Sequence, residues 1–374
     1  MLDCLIIGGG IIGWAIGDEL ARTGREVTLV DLARFSDSKQ AGQARTASLA
    51  SAGILPPPIT RATHDPLETL RVLSDKLFAD WAKGLQADTG VDVDYKMCGG
   101  IYLARTSGES AALQFAVEDW HRDGVEVEEI SVSALSASEP HIDFSDVQRA
   151  YRLAAEQRVR PAALTTALAI RARQNGVTFQ QSTQSVRLTD QQDRAIAIVD
   201  GDNVEALEII VAAGPWSTEL LRPFGFDIGV EPRRGQIAMW QCDAPIISHV
   251  INEGPRYVLC RADGELIAGS TVEEVDFDCN TTTEGIQSLV AFAAQLVPSI
   301  RQKDPDTTWA GLRPHARDGY PSIGRVAATD NLTVATGHFR SGIHLAPATA
   351  LLVRQAIDGE SPAIDVAPFA ARRN

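Results

Sequence analysis

A chain of 374 residues, 44% hydrophobic and 22% charged, has ordinary globular composition and enough length for two packed domains. Its 49 acidic residues outweigh 34 basic ones, giving a formal charge of −15 that repels phosphate backbones and argues against a nucleic-acid partner. The five cysteines (Cys4, Cys98, Cys242, Cys260 and Cys279) are scattered without C-x-x-C spacing, which argues against a disulfide framework and a zinc site and for a reducing compartment. No leader precedes the first predicted strand and no apolar run reaches spanning length, so the expectation is a soluble, cytoplasmic protein without a metal or a membrane span.

The first predicted element is the apolar run from Leu2 to Ile7, the pattern of a strand buried on both faces. It enters Gly8-Gly9-Gly10-Ile11-Ile12-Gly13, which satisfies G-x-G-x-x-G at Gly8, Gly10 and Gly13. A helix is predicted from Trp14 to Thr23, stopped by Gly24, and a second strand from Glu26 to Val30 ends at Asp31. Gly8 permits the tight turn, Gly10 lets a pyrophosphate approach the backbone, and Gly13 lets helix and strand pack closely. The helix N-terminus offers N–H groups and a positive dipole to phosphates. Asp31 stands eighteen residues past Gly13, where a carboxylate accepts the ribose hydroxyls of an adenosine. These residues predict an ADP-binding unit and leave open whether the dinucleotide is FAD or NAD.

Further along, Gln40 to Leu55 is rich in small residues and suits a backbone laid against a large flat ligand. Helical spacing runs from Asp65 to Ala87, and Val91 to Ala104 reads as a hairpin-like pair of strands around Cys98-Gly99-Gly100. Helices are predicted at Ala111–Arg122, Arg160–Gln174 and Thr283–Leu296. Short strands are predicted at Val177–Phe179, Ser185–Thr189, Ala195–Val199 and Ala206–Val211, the last entering a second glycine turn at Gly214. The stretches Val230–Gln241 and Tyr257–Gly269 alternate like strands of an antiparallel sheet. Near the end, Gly311-Leu312-Arg313-Pro314 and Gly337-His338-Phe339-Arg340-Ser341-Gly342-Ile343 lead into an apolar helix.

Taken together, these segments resemble the D-amino-acid oxidase superfamily, and within it the glycine oxidases of thiamine biosynthesis. The resemblance rests on Gly8–Gly13 with Asp31, Thr46-Ala47-Ser48 with Gly53-Ile54-Leu55, Trp309–Pro314, and above all Gly337–Pro347. It covers nearly the whole chain. It implies an α/β plus α+β fold: a Rossmann-like, doubly wound FAD-binding domain and a largely antiparallel substrate domain. The expected limits are 1–82, 146–220 and 310–374 for the first and 83–145 and 221–309 for the second.

The resemblance also implies non-covalent FAD, since no cysteine follows Arg313. The implied contacts are Gly8, Gly10, Ile11, Ile12, Gly13, Asp31, Leu32, Thr46, Ala47, Ser48, Gly53, Val186, Gly214, His338, Arg340, Ser341, Gly342 and Ile343. Arg313 matches the carboxylate-binding arginine, for which a planar bidentate fork is suited, and Tyr257 matches the tyrosine that adds a second bond. Arg340, with the N–H groups opening the last helix, is expected near the flavin to offset negative charge as it forms. His338 and His344 are expected to be structural or flavin-contacting, because hydride transfer from a neutral amine needs no protein base. Val272 stands where some glycine oxidases have methionine, so a wider pocket is expected there. The implied partners are a small amino acid and O2, in a homotetramer; a dehydrogenase using another electron acceptor is the alternative.

Overall fold

The computed structural model describes residues 1–32, 46–61, 63–327 and 329–371. Within it the N-terminal apolar run forms the strand Leu2–Ile7, inside a six-stranded sheet. Across that sheet the order is Ser322–Arg325, Leu332–Thr336, Ala206–Val211, Leu2–Ile7, Val27–Asp31 and Thr178–Gln181. All neighbours run parallel except the first pair, which is antiparallel.

The run is continuously apolar because both faces are covered. Cys4 and Ile6 join the core beneath the helices Ile11–Arg22, Pro161–Gln174 and Gly342–Asp358. Leu5 and Ile7 point the other way, against Leu188, Ala195, Ala197 and Val199. Those four residues belong to a three-stranded antiparallel sheet spanning Val186–Gln191, Arg194–Val199 and Asp202–Val204. The predicted fold class holds, with one refinement: the second face is covered mainly by this meander, joined by Leu220 and Leu221 of the short helix Ser217–Leu221.

The second large sheet is mostly antiparallel and has nine strands among the described residues. Its longest pair is Val230–Gln241 against Thr307–Ala316, in register from Val230 opposite Ala316 to Met239 opposite Thr307. From there the sheet continues through Glu265–Gly269, Arg256–Cys260, Val250–Glu253, Gly100–Ala104 and Arg149–Leu153. Alternation assigns its faces. Ala238, Trp240, Val258 and Leu266 pack beneath Leu289, Phe292 and Leu296 of the helix Thr283–Leu296. Ile237, Tyr257, Leu259 and Trp309 face the other way, toward Ala50 and Ala52 of the first unit.

One expectation is corrected here. Val91–Ala104 is not a hairpin: Lys96–Met97 pairs with Gln157–Arg158, whereas Gly100–Ala104 joins the large sheet beside Arg149–Leu153 and Val250–Glu253. Cys98-Gly99-Gly100 therefore switches the chain between sheets instead of turning it back. The expected domain limits cut elements. Position 82 lies inside the helix Pro66–Thr89, whose Leu85 is still in the first core. Position 310 falls within Thr307–Ala316, and Arg149–Leu153 belongs with the antiparallel sheet despite its assignment to the first unit. Composition does not mark these crossings, because the chain passes between the units within continuous elements. No helix among the described residues is long and apolar enough to cross a membrane.

Candidate active site

The strand Leu2–Ile7 ends at Gly8, whose φ of 117° is closed to most L side chains. A Cβ there would meet the Ala212 carbonyl oxygen at 2.3 Å, and one on Gly13 would lie 1.9 Å from the Gly8 carbonyl oxygen. The helix that follows begins at Ile11 with Gly10 as its N-cap and no side-chain cap. Its first N–H groups thus face whatever sits at the turn. The Ile11 N–H donates to Ser48 Oγ at 2.9 Å, and the Gly9 N–H donates to the Asp31 carboxylate. Asp31 is thereby aimed at the mouth of the turn from the end of the neighbouring strand.

This turn opens one cavity of ≈ 1030 Å³. Small-molecule sites commonly run to ~300–1,000 Å³, so the space suits a dinucleotide with a substrate beside it. One end is walled by Asp31, Leu32, Val186 and Leu188; the middle by Ala47, Ser48, Gly53 and Gly214; the far end by Tyr257, Ser270, Arg313 and Gly342. No cysteine lines it among the described residues. The small-residue segment fits because the chain runs close to its neighbours. Gly53 has φ 78°, and a Cβ there would meet the Val159 carbonyl oxygen at 2.2 Å. The part of that segment before Thr46 lies outside the described residues.

At the far end Arg313 projects from Thr307–Ala316. Its guanidinium donates to the Thr271 carbonyl at 3.1 Å and to Ser270 Oγ at 2.9 Å. Among the described residues it has no carboxylate within ion-pair distance. Burial pulls its pKa down to about 10, so the site holds a desolvated cation that gains from an anion. Tyr257 is 8% exposed, and burial raises its pKa while the nearby Arg313 and Arg340 pull it down. Room for both comes from glycines that sequence reading passed over. A Cβ on Gly235 would lie 2.0 Å from Arg313 Nη2, and one on Gly269 2.4 Å from the Tyr257 hydroxyl. Gly235 also stands opposite Gly311, leaving a bare window in the sheet.

A second polar group on the same wall was also missed. Glu156 is fully buried yet lines the cavity, with Asn252 Nδ2 donating to it at 3.2 Å and the Tyr102 hydroxyl donating to its other oxygen. Burial pushes its pKa up to about 7. In Ala155-Glu156-Gln157-Arg158 it reads as one more charged loop residue, so only the fold reveals it. Folding favours its protonated form, so its stabilising contribution is complete below about 4.5 and is lost as pH rises through about 7. Glu156→Gln should remove that slope. The Tm of the variant is expected to gain several degrees on the parent between pH 5 and pH 8, and parallel Tm curves would refute the assignment.

The structure brings nearly all the expected residues to this cavity. Gly8, Gly10, Ile11, Ile12, Asp31, Leu32, Thr46, Ala47, Ser48, Gly53, Val186, Gly214, Tyr257, Arg313, His338, Arg340, Ser341, Gly342 and Ile343 all line it. Gly13 does not; it acts one layer back by letting the helix close on the strand. Arg340 is exposed at the rim and donates to the Pro255 carbonyl at 3.3 Å. His338 is buried against Thr349 Oγ1 at 3.0 Å, and burial lowers its pKa to about 3, which keeps it neutral. His344 sits behind the wall, 2.6 Å from the Asp75 carboxylate. Val272 is corrected: it is 48% exposed and lines no part of the cavity, so its size does not widen the pocket. Inward at that turn point Ser270 and the Thr271 carbonyl, both bonded to Arg313.

Comparison with known proteins agrees with this geometry. The family described as DAO, FAD dependent oxidoreductase, matches residues 3–356. The glycine oxidase of Pseudomonas aeruginosa is 30% identical over 368 residues, covering 98% of this chain and 97% of its own. The crystal structure of glycine oxidase from Geobacillus kaustophilus superposes with a TM-score of 0.90 at 29% identity, covering 100% of this chain and 98% of that one. The hydrogen cyanide synthase subunit HcnC of Pseudomonas aeruginosa is 27% identical over 405 residues, covering 99% of this chain and 96% of its own. The chain belongs to the DAO family of FAD-dependent oxidoreductases and is an enzyme of the glycine-oxidase type.

Proposed function

We propose that this enzyme oxidises the α-carbon of a small amino acid to an imine, which water hydrolyses to an oxo acid and ammonia. With glycine the product is glyoxylate. The observation that carries the reading is Arg313: a desolvated guanidinium at the cavity's far end, without a carboxylate partner among the described residues and close to Tyr257. A pure nucleotide binder has no use for such a clamp.

In this reading FAD lies along the cavity without a covalent bond, its ADP half at Gly8, Gly10 and Asp31 and its ring near Gly342 and Ile343, and it supplies the hydride acceptor. Arg313 holds the substrate carboxylate through a bidentate pair, and Tyr257 adds a third hydrogen bond. Those contacts fix the Cα–H direction, which is the protein's main task in such chemistry. Ser270 and the Thr271 carbonyl lock the guanidinium from behind, so little ordering is left to do when substrate arrives. The N–H groups that open the helix Gly342–Asp358, together with Arg340, offset the negative charge that develops as the hydride is accepted. His338 stays neutral and structural.

Oxygen is the proposed electron acceptor; a dehydrogenase that passes its electrons to another acceptor is the second reading. Anaerobic addition of small amino acids to the purified enzyme should bleach the visible flavin band, and admitting air should restore it with stoichiometric hydrogen peroxide. Bleaching without reoxidation by air would select the dehydrogenase. No bleaching by any amino or N-methyl amino acid would remove the proposal.

A further inference from the structure

Tyr257, Asn252 and Tyr102 stand directly opposite one another on three neighbouring strands of the large sheet. Their neighbours Val258, Ile251, Ile101 and Leu103 all turn to the helix-covered face. The three polar side chains therefore share the cavity face, as a row leading away from the Arg313 clamp. Strands lie about 4.8 Å apart, which puts Asn252 one spacing and Tyr102 roughly 10 Å from Tyr257. Glu156 closes the row, gripped by the last two members. Gly100 makes the space, since a Cβ there would sit 2.3 Å from Glu156 Oε1.

We infer that Glu156 is a second recognition point, which binds an amino group carried on the side chain of the substrate. This rests on the amino-acid reading above and names its substrate class: α-amino acids bearing a second, distal amino group. A ligand held by its carboxylate at Arg313 needs several atoms of chain to reach Glu156, and glycine is too short. Glu156 accepts from two donors, whereas a carboxylate has about four acceptor sites, so capacity for an ammonium remains. An isolated buried carboxylate is costly, and burial already holds this one up to about 7; a cation beside it converts that cost into binding. The Tyr102 and Asn252 bonds fix the carboxyl in place beforehand.

The test is calorimetric titration of the FAD-loaded enzyme with two probes that have no α-amino group and equal chain length, hexanoate and 5-aminopentanoate. The expected result is a Kd at least tenfold lower for 5-aminopentanoate, with the ratio falling below about threefold in Glu156→Gln. Tyr102→Phe, which keeps the carboxyl and its Asn252 bond, should retain more of the preference than Glu156→Gln. Equal Kd values in the parent enzyme, or an unchanged ratio in Glu156→Gln, would overturn the inference while leaving the amino-acid reading standing. If neither probe binds, both fall. Should Glu156→Gln fail to retain FAD, the parent ratio alone decides.

Discussion

Arg313→Ala is expected to raise the KM for the amino acid by about 10²–10³-fold while FAD content stays near that of the parent. The magnitude follows from removing one partner of a buried, hydrogen-bonded charge pair, which costs about 2–5 kcal/mol, or roughly tenfold per 1.4 kcal/mol. FAD is retained because Arg313 stands at the end of the cavity farthest from Gly8, on a strand fixed along its whole length to Val230–Gln241. Arg313→Lys should recover only part of the loss. A lysine is a point charge and cannot make the planar fork that Ser270 and Thr271 hold ready. Steady-state kinetics and the ratio of flavin to protein absorbance check both variants. An unchanged KM in Arg313→Ala would take the residue out of the substrate site.

The second large effect is expected at Gly13, which touches no part of the cavity. Gly13→Ala puts a methyl group 1.9 Å from the Gly8 carbonyl oxygen, a backbone atom at the end of the central strand. The clash is relieved only by lifting the helix Ile11–Arg22 off the sheet, and that opens the turn that presents Gly8 and Gly10. Overpacking costs ~1–3 kcal/mol, which weakens FAD affinity by roughly 5- to 150-fold, so after gel filtration in FAD-free buffer the variant should hold clearly less FAD than the parent. Gly17→Ala, on the same helix, provides the control. Its Cβ would stand 3.5 Å from Ile6 Cδ1, an ordinary contact, and alanine favours the helix. It should keep its FAD. Equal FAD content in the two variants would mean that the close helix–strand approach does not govern cofactor binding.

What was legible in the sequence follows from how far apart the interacting residues lie. The unit from Leu2 to Asp31 was readable because each determinant is local: the apolar run, the glycine spacing, the carboxylate eighteen residues on. The pairing of Val230–Gln241 with Thr307–Ala316 was not, since its register is set by contacts 68 to 86 residues apart, and a strand pattern does not name its partner. Gly235 matters only because of that pairing, and Gly269 only because its strand places it opposite Tyr257. Arg313 and Tyr257 were reached through resemblance; periodicity alone leaves them as a strand arginine and a strand tyrosine. The hairpin expected at Val91–Ala104 failed because Gly99, with φ 71°, redirects the chain to a different sheet. Glu156 gave no signal at all. Its charge suggested solvent, and its burial arises from residues on two distant strands.

Trp309 donates from Nε1 to the Ala50 carbonyl at 3.1 Å, and a Cβ on Gly311 would lie only 2.4 Å from that of Ala50. The strand that bears Arg313 is thus bolted to segment 47–53, which also lines the cavity. A hinge rotation that parted the two sheets would have to break this contact and expose Ile237, Leu259 and Ile267. Parting the two sheets therefore costs this hydrogen bond and that apolar burial, a cost that a rearrangement at the rim, where Arg340 is exposed, does not carry.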